Sequence, residues 1–143
     1  MIYIALLTLT AGVLGSVLTH YVADHLKQGV VRASAILSIF FAIIIMIIEK
    51  VFTLEGVLLS DSFTLSSLSL VFMSGTFAGM AGSKVFNDYT GYLISGLFVG
   101  LIFLSAPSVF AGLGGGLGTI GALGVLASAG LLILVRVVLK LSK

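Results

Sequence analysis

The sequence contains no cysteine and few charged residues, and each absence excludes a class of protein. Without cysteine there are no disulfides, no thiolate metal ligands and no thiol nucleophile. Only 8% of the 143 residues are charged, whereas 59% are hydrophobic. Soluble domains are about one-quarter charged because their surfaces face water. The composition therefore predicts an integral membrane protein whose main solvent is lipid.

Charged residues are also missing from the middle of every long apolar segment. Proton-coupled carriers use a buried ionisable group at this depth, and hydrolases need an acid–base partner beside a serine. Glu49 and Arg136 come nearest to the middle, but both lie close enough to a segment end for the side chain to reach the interface. We therefore expect no enzyme activity and no cofactor.

Five apolar segments are long enough to cross the hydrocarbon core as helices, which takes about 20 residues each. They are residues 2–22, 33–51, 65–83, 91–111 and 119–139. Residues 23–32 and 84–89 are expected to be polar connections. The first segment lacks the basic start and the cleavage motif of a signal peptide, so we expect a retained helix. The sequence predicts a single all-α transmembrane domain.

The distribution of charge predicts the orientation of these segments. With five spans, one side of the membrane holds six of the seven basic residues, and Lys50 alone lies on the other. Basic residues accumulate on the cytoplasmic side. We therefore predict an external N-terminus and a cytoplasmic C-terminus in a bacterial-type inner membrane, with Tyr21, Tyr89 and Tyr92 as anchors at the basic interface. Because these charges are dispersed, no nucleic-acid partner is expected. The six basic residues are Lys27, Arg32, Lys84, Arg136, Lys140 and Lys143.

Small residues recur at three- to four-residue spacing in segments one, three, four and five. Such stripes allow close approach of membrane helices, and their glycines and hydroxyls could equally line a narrow pore. The second segment is bulky on every side over residues 36–48, so it is expected to be peripheral and to face lipid. The candidates for a pore or a helix-packing face are Gly12, Ser16, Ser74, Gly75, Gly79, Gly96, Gly100, Gly114, Gly118 and Gly121.

Residues 110–124 are rich in glycine and contain no charge. Gly116-x-Gly118-x-x-Gly121 matches the dinucleotide-binding pattern, but no strand precedes it and no acidic residue follows about 20 positions later. Two interpretations remain. The stretch is either an apolar turn followed by a helix-packing face, or a re-entrant segment whose free backbone groups coordinate an ion.

His20, Asp24 and His25 form the one histidine cluster. His20 and Asp24 are one helical turn apart, so that they could share a proton or a metal ion. Two imidazoles and one carboxylate from a single helix end make a poor ligand set without a fourth donor. Hydrogen bonding to water or lipid headgroups is the simpler role, and no metal site is assigned.

The size and the five-span layout resemble half-size members of the drug/metabolite transporter superfamily, and the glycine content is similar to that of small fluoride-type channels. The resemblance is one of outline. The N-terminal membrane glutamate of small multidrug carriers has no counterpart here, and no motif carries over. No family is assigned.

Two hypotheses for the function follow. The first is a small oligomeric channel or facilitator for an ion or solute, because the small faces are neutral and a coupling carboxylate is absent. The alternative is a non-catalytic accessory subunit that docks onto a larger membrane complex. In both, the partners are the lipid bilayer and either further copies of the chain or another membrane protein.

Overall fold

A computed structural model describes residues 2–27, 29–54, 65–105 and 115–141. Within these ranges the chain forms five α-helices and no strand, which confirms the all-helical prediction. The helices are α1 (Ile2–His25), α2 (Val30–Leu54), α3 (Leu65–Gly79), α4 (Tyr89–Ser105) and α5 (Gly116–Leu141).

Three of these helices are long and apolar enough to cross a membrane. They are α1, α5 and residues 30–51 of α2. The chain is therefore a membrane protein. The described parts of α3 and α4 have 15 and 17 residues, about 23 and 26 Å at the helical rise, against about 30 Å of hydrocarbon.

The first connection is shorter than the predicted 23–32 loop. α1 continues to His25 and α2 begins at Val30. The chain reverses through Lys27 and Gly29, which both adopt positive φ, at 49° and 77°. Asp24 and His25 belong to the last helical turn because polarity marks the edge of the membrane and does not by itself end a helix.

α3 ends at Gly79, before the predicted end at residue 83. Its last turn tightens, with the N–H groups of Met80 and Ala81 donating to carbonyls three residues back, at 3.2 and 3.1 Å. The Tyr92 hydroxyl of α4 then donates to the Ala81 carbonyl at 2.9 Å. A side chain from the next helix therefore satisfies a carbonyl that the end of α3 leaves free.

α1, α3 and α4 form the centre of the bundle, and α2 and α5 flank it. α3 contacts all four other helices, whereas α2 packs on α1 and α3, and α5 packs on α3 and α4. Two apolar clusters fill the interior, and Phe103 contacts both. The buried members are Ala11, Leu68, Val71 and Phe72 in the first cluster and Ala78, Val99 and Ile120 in the second.

The basic residues collect at one end of the bundle. His20 of α1 contacts Tyr92 at the start of α4, and Arg136 of α5 shares a pocket with the α3–α4 turn. Val31 of α2 and Met80 line one groove. The ends of α1, α3 and α5 therefore lie beside the starts of α2 and α4. This basic end carries Lys27, Arg32, Lys84, Arg136 and Lys140.

Candidate functional site

Gly12 lies where α1 meets both α3 and α4. A Cβ atom added to Gly12 would come within 2.6 Å of the Gly96 carbonyl oxygen, and one added to Gly75 would overlap the Gly12 carbonyl. These neighbours are backbone atoms, which cannot rotate away as a side chain can. Any side chain at Gly12 would therefore have to push two helices apart.

Six more glycines approach the backbone of a neighbouring helix in the same way. Added Cβ atoms on Gly15 and Gly79 would overlap the Phe72 and Ser16 carbonyls, and Gly96 would meet Val13 Cα at 2.6 Å. Added Cβ atoms on Gly100, Gly121 and Gly124 would lie 3.0 Å from Leu9 Cα, 2.8 Å from the Ser74 carbonyl oxygen and 2.9 Å from the Ser95 carbonyl oxygen, respectively.

Most of the sequence candidates therefore contact other helices of the same chain. They are Gly12, Ser16, Ser74, Gly75, Gly79, Gly96, Gly100 and Gly121. Gly118 differs, because no described atom lies within 4 Å of a Cβ added there. Gly114 lies outside the described residues.

A buried pair of hydroxyls connects α1 to α4. Ser16 Oγ donates to the Tyr92 carbonyl at 2.9 Å and lies 3.1 Å from Ser95 Oγ, which also donates to that carbonyl at 2.9 Å. Both serines are fully buried. The polar atoms satisfy one another, so this contact can hold two helices together in lipid.

Thr76 accepts hydrogen bonds from two serines of α2. Its own hydroxyl donates to the Met73 carbonyl at 2.7 Å, and Ser34 and Ser38 each lie 2.9 Å from Thr76 Oγ1. Since the Thr76 proton is already committed, both serines act as donors. One buried oxygen of α3 therefore anchors the first part of α2.

The remaining buried hydroxyls are satisfied within their own helices, with one exception. Thr8, Ser74 and Ser128 donate to carbonyls three or four residues back, at 2.8 to 3.0 Å. Thr19 is fully buried, and its Oγ1 has no hydrogen-bond partner among the described residues. It lies beside Gly79 at the α1–α3 crossing.

The histidine cluster divides between two aromatic stacks. The His20 ring stacks on Tyr92 with centroids 3.8 Å apart and meets Tyr89 edge-on at 5.2 Å, whereas His25 stacks on Tyr21 at 4.1 Å. No group of three His, Asp or Glu side chains in the described ranges is placed to hold a metal ion. The predicted cluster of His20, Asp24 and His25 is therefore not assembled as a ligand set.

The glycine pattern at residues 116–121 lies inside a helix. α5 begins at Gly116, immediately after Gly115, whose carbonyl accepts the Thr119 N–H at 3.0 Å and whose φ is 88°. The dinucleotide motif needs a loop after a strand, which this segment does not provide. The sequence places the turn at residues 112–118, but α5 already begins at Gly116, and residues 112–114 lie outside the described residues.

Two features of the interior are not predicted from the sequence. Tyr92 lies at the basic end of the bundle, but its side chain is completely buried among the helices. The start of α2 carries a small face at Ala33, Ser34 and Ser38, although the bulky run after it suggested none. The i to i+4 spacing of the two serines is the signal that could have indicated this contact.

No protein-family model, curated protein or solved structure matches the chain. The glycine crossings, the hydroxyl contacts and the outer helix faces are the features from which a function can be inferred.

Proposed function

We propose that the chain is a non-catalytic membrane subunit that docks through its outer helices, first of all onto a second copy of itself. The observation that carries this proposal is that the glycine faces pack against helices of the same chain. Gly12, Gly75 and Gly96 are covered by helices of their own chain. Of the three long helices, α2 and α5 are the least buried, so they offer another protein the largest surfaces.

The outer face of α5 supports docking to a second copy. Gly118 has open space around it and Ala122 is exposed one turn further on. Two small residues four positions apart allow another membrane helix to approach closely. Because the described helices leave this pair uncovered, we infer that it meets α5 of a neighbouring copy.

A glycine pair within α5 provides the test. Gly118 and Gly130 both have nothing within 4 Å among the described atoms, but 12 positions place them about 120° apart around the helix. We expect Gly118→Leu to lower the oligomer fraction by at least about tenfold and Gly130→Leu to leave it unchanged. Native mass spectrometry in mild detergent would count copies and companions. A monomer without a companion in the parent protein, or equal effects of the two variants, would contradict the proposal.

A channel or facilitator is the second candidate, and Thr19 is the observation in its favour. The Thr19 hydroxyl is fully buried and has no partner among the described residues, which leaves one hydrogen-bonding position open at the α1–α3 crossing. Purified protein in liposomes should then pass an ion or small neutral solute, and Thr19→Val should change the rate. Liposomes that stay impermeable to both kinds of solute would remove this candidate.

The proposed topology has five spans, an external N-terminus and a cytoplasmic C-terminus in an inner membrane, with helices one, three, four and five joined at small residues. The gathering of five basic residues at one end of the bundle supports it, because basic residues remain on the cytoplasmic side. The glycine crossings support the mode of packing.

A further inference from the structure

A groove of about 280 Å³ runs along the surface between α2 and α3. Its walls include Ala35, Ser38 and Ile39 of α2 and Met73, Phe77 and Met80 of α3. The α3 glycines Gly75 and Gly79 pack against α1, and neither of them packs against α2. The groove therefore lies on a side of α3 where these two glycines make no crossing.

The lining of this groove is apolar although two serines border it. The hydroxyls of Ser34 and Ser38 are directed at Thr76 Oγ1, 2.9 Å away, and so are committed within the protein. Methionine, phenylalanine and isoleucine side chains form much of the rest, and methionine adapts to irregular apolar partners. The groove is therefore suited to a hydrocarbon occupant.

The groove has the direction and length of a lipid chain. It extends along α2 from Val31 to Ile39, about 12 Å at the helical rise of 1.5 Å per residue. One leaflet of the hydrocarbon core is about 15 Å deep. An acyl chain lying parallel to α2 would fill the groove from the interface inward.

Two basic residues are close in sequence to the lining residues Val31 and Met80, at the basic end of the bundle. Arg32 follows the lining residue Val31, and Lys84 lies in the turn after Met80. Both are exposed, and neither forms an ion pair within the described ranges. The acidic residues of this end lie elsewhere: Asp24 is one turn from His20 on the α4 side of α1, and Asp88 lines a pocket with Arg136.

We propose that this groove binds one acyl chain of an anionic phospholipid from the bilayer, with the headgroup phosphate at Arg32 and Lys84. The apolar walls select a hydrocarbon chain, and the two cations select the sign of the headgroup. Basic residues beside a gap between membrane helices bind anionic lipids in this way. The inference uses only the membrane location of the chain and is independent of the docking proposed for α5.

Native mass spectrometry with added phosphatidylglycerol or phosphatidylcholine tests the site on the full chain. The parent should retain one phosphatidylglycerol molecule. It should prefer phosphatidylglycerol to phosphatidylcholine by about fivefold for each basic side chain that contacts the headgroup. Arg32→Gln should lower that preference about fivefold, whereas Lys50→Gln at the other end of α2 should not. Ala35→Phe fills the groove and should abolish retention of both lipids. Ala42→Phe is the matched control, because Ala42 is also exposed on α2 but does not line the groove.

Four results would overturn the proposal. Equal retention of the two lipids by the parent would show that the basic residues do not bind the headgroup. An unchanged lipid preference in Arg32→Gln would show the same for Arg32. Retention that survives Ala35→Phe would place the lipid elsewhere. Loss of a dimer in Ala35→Phe, with no change in lipid, would identify a second copy as the occupant. Ala35→Leu repeats the groove test with a smaller side chain if the phenylalanine variant loses its thermal unfolding transition.

Discussion

At the residue scale, single oxygen atoms connect helices that have almost no charge. Thr76 Oγ1 accepts from Ser34 and Ser38 and donates within α3. The backbone carbonyl oxygen of Tyr92 accepts hydrogen bonds from the Ser16 and Ser95 hydroxyls. Since lipid offers no alternative partner, these contacts fix which faces of neighbouring helices meet.

Thr76→Val should lower the free energy of unfolding by about 1 kcal/mol. The variant keeps the shape of the side chain but removes the acceptor of two hydrogen bonds between α2 and α3, each worth about 0.6 kcal/mol in a membrane. Thr10→Val is the control, because Thr10 is exposed and donates only to Leu7 of its own helix. SDS-induced unfolding would compare them, and equal destabilisation would contradict the assigned role of Thr76.

At the element scale, the turn after α3 is held by a side chain of α4. The Tyr92 hydroxyl caps the Ala81 carbonyl at 2.9 Å, while its ring stacks on His20 and meets Phe86 edge-on. Gly91 leaves room for Phe86, because a Cβ atom added to Gly91 would overlap the phenylalanine ring. The α3–α4 turn is thus built around one buried tyrosine.

Tyr92→Phe should loosen this turn without separating the helices. The ring stack remains, but the bond to Ala81 is lost, so amide hydrogen exchange at residues 80–86 should rise about fivefold, corresponding to about 1 kcal/mol. Tyr89→Phe serves as control, because Tyr89 is exposed. If the two variants exchange alike, the Tyr92 hydroxyl does not hold the turn.

Composition and periodicity were enough to predict the helices but not all of their ends or partners. The apolar lengths of α1 and α2 follow from the need to fill a bilayer, whereas the extension of α1 through Asp24 and His25 depends on local backbone bonding. The spacing of Gly75 and Gly79 predicted a close-packed face. It could not say whether α1, a second copy or a solute would cover that face, because spacing describes one helix and contact requires two.

At the scale of the whole molecule, the separation of charge predicts a fixed orientation. The absence of cysteine permits single-cysteine labelling without a background. A membrane-impermeant maleimide should label Lys50→Cys in intact cells and Asn87→Cys only after permeabilisation, because Asn87 lies at the basic end. The cysteine-free parent is the control. The opposite labelling would reverse the orientation, and external labelling of both would contradict the span count.

The unfolding of Gly12→Leu compared with Gly130→Leu tests most directly whether the glycine faces hold the chain together. Gly12 is covered by backbone atoms of two helices, whereas Gly130 has no described atom within 4 Å. Gly12→Leu should cost about 3 kcal/mol or more, since the obstructing backbone cannot move aside. Gly130→Leu should leave stability unchanged or raise it by up to about 1 kcal/mol. A Gly12→Leu protein as stable as the parent, with only its transport altered, would contradict the account and place Gly12 in a pore.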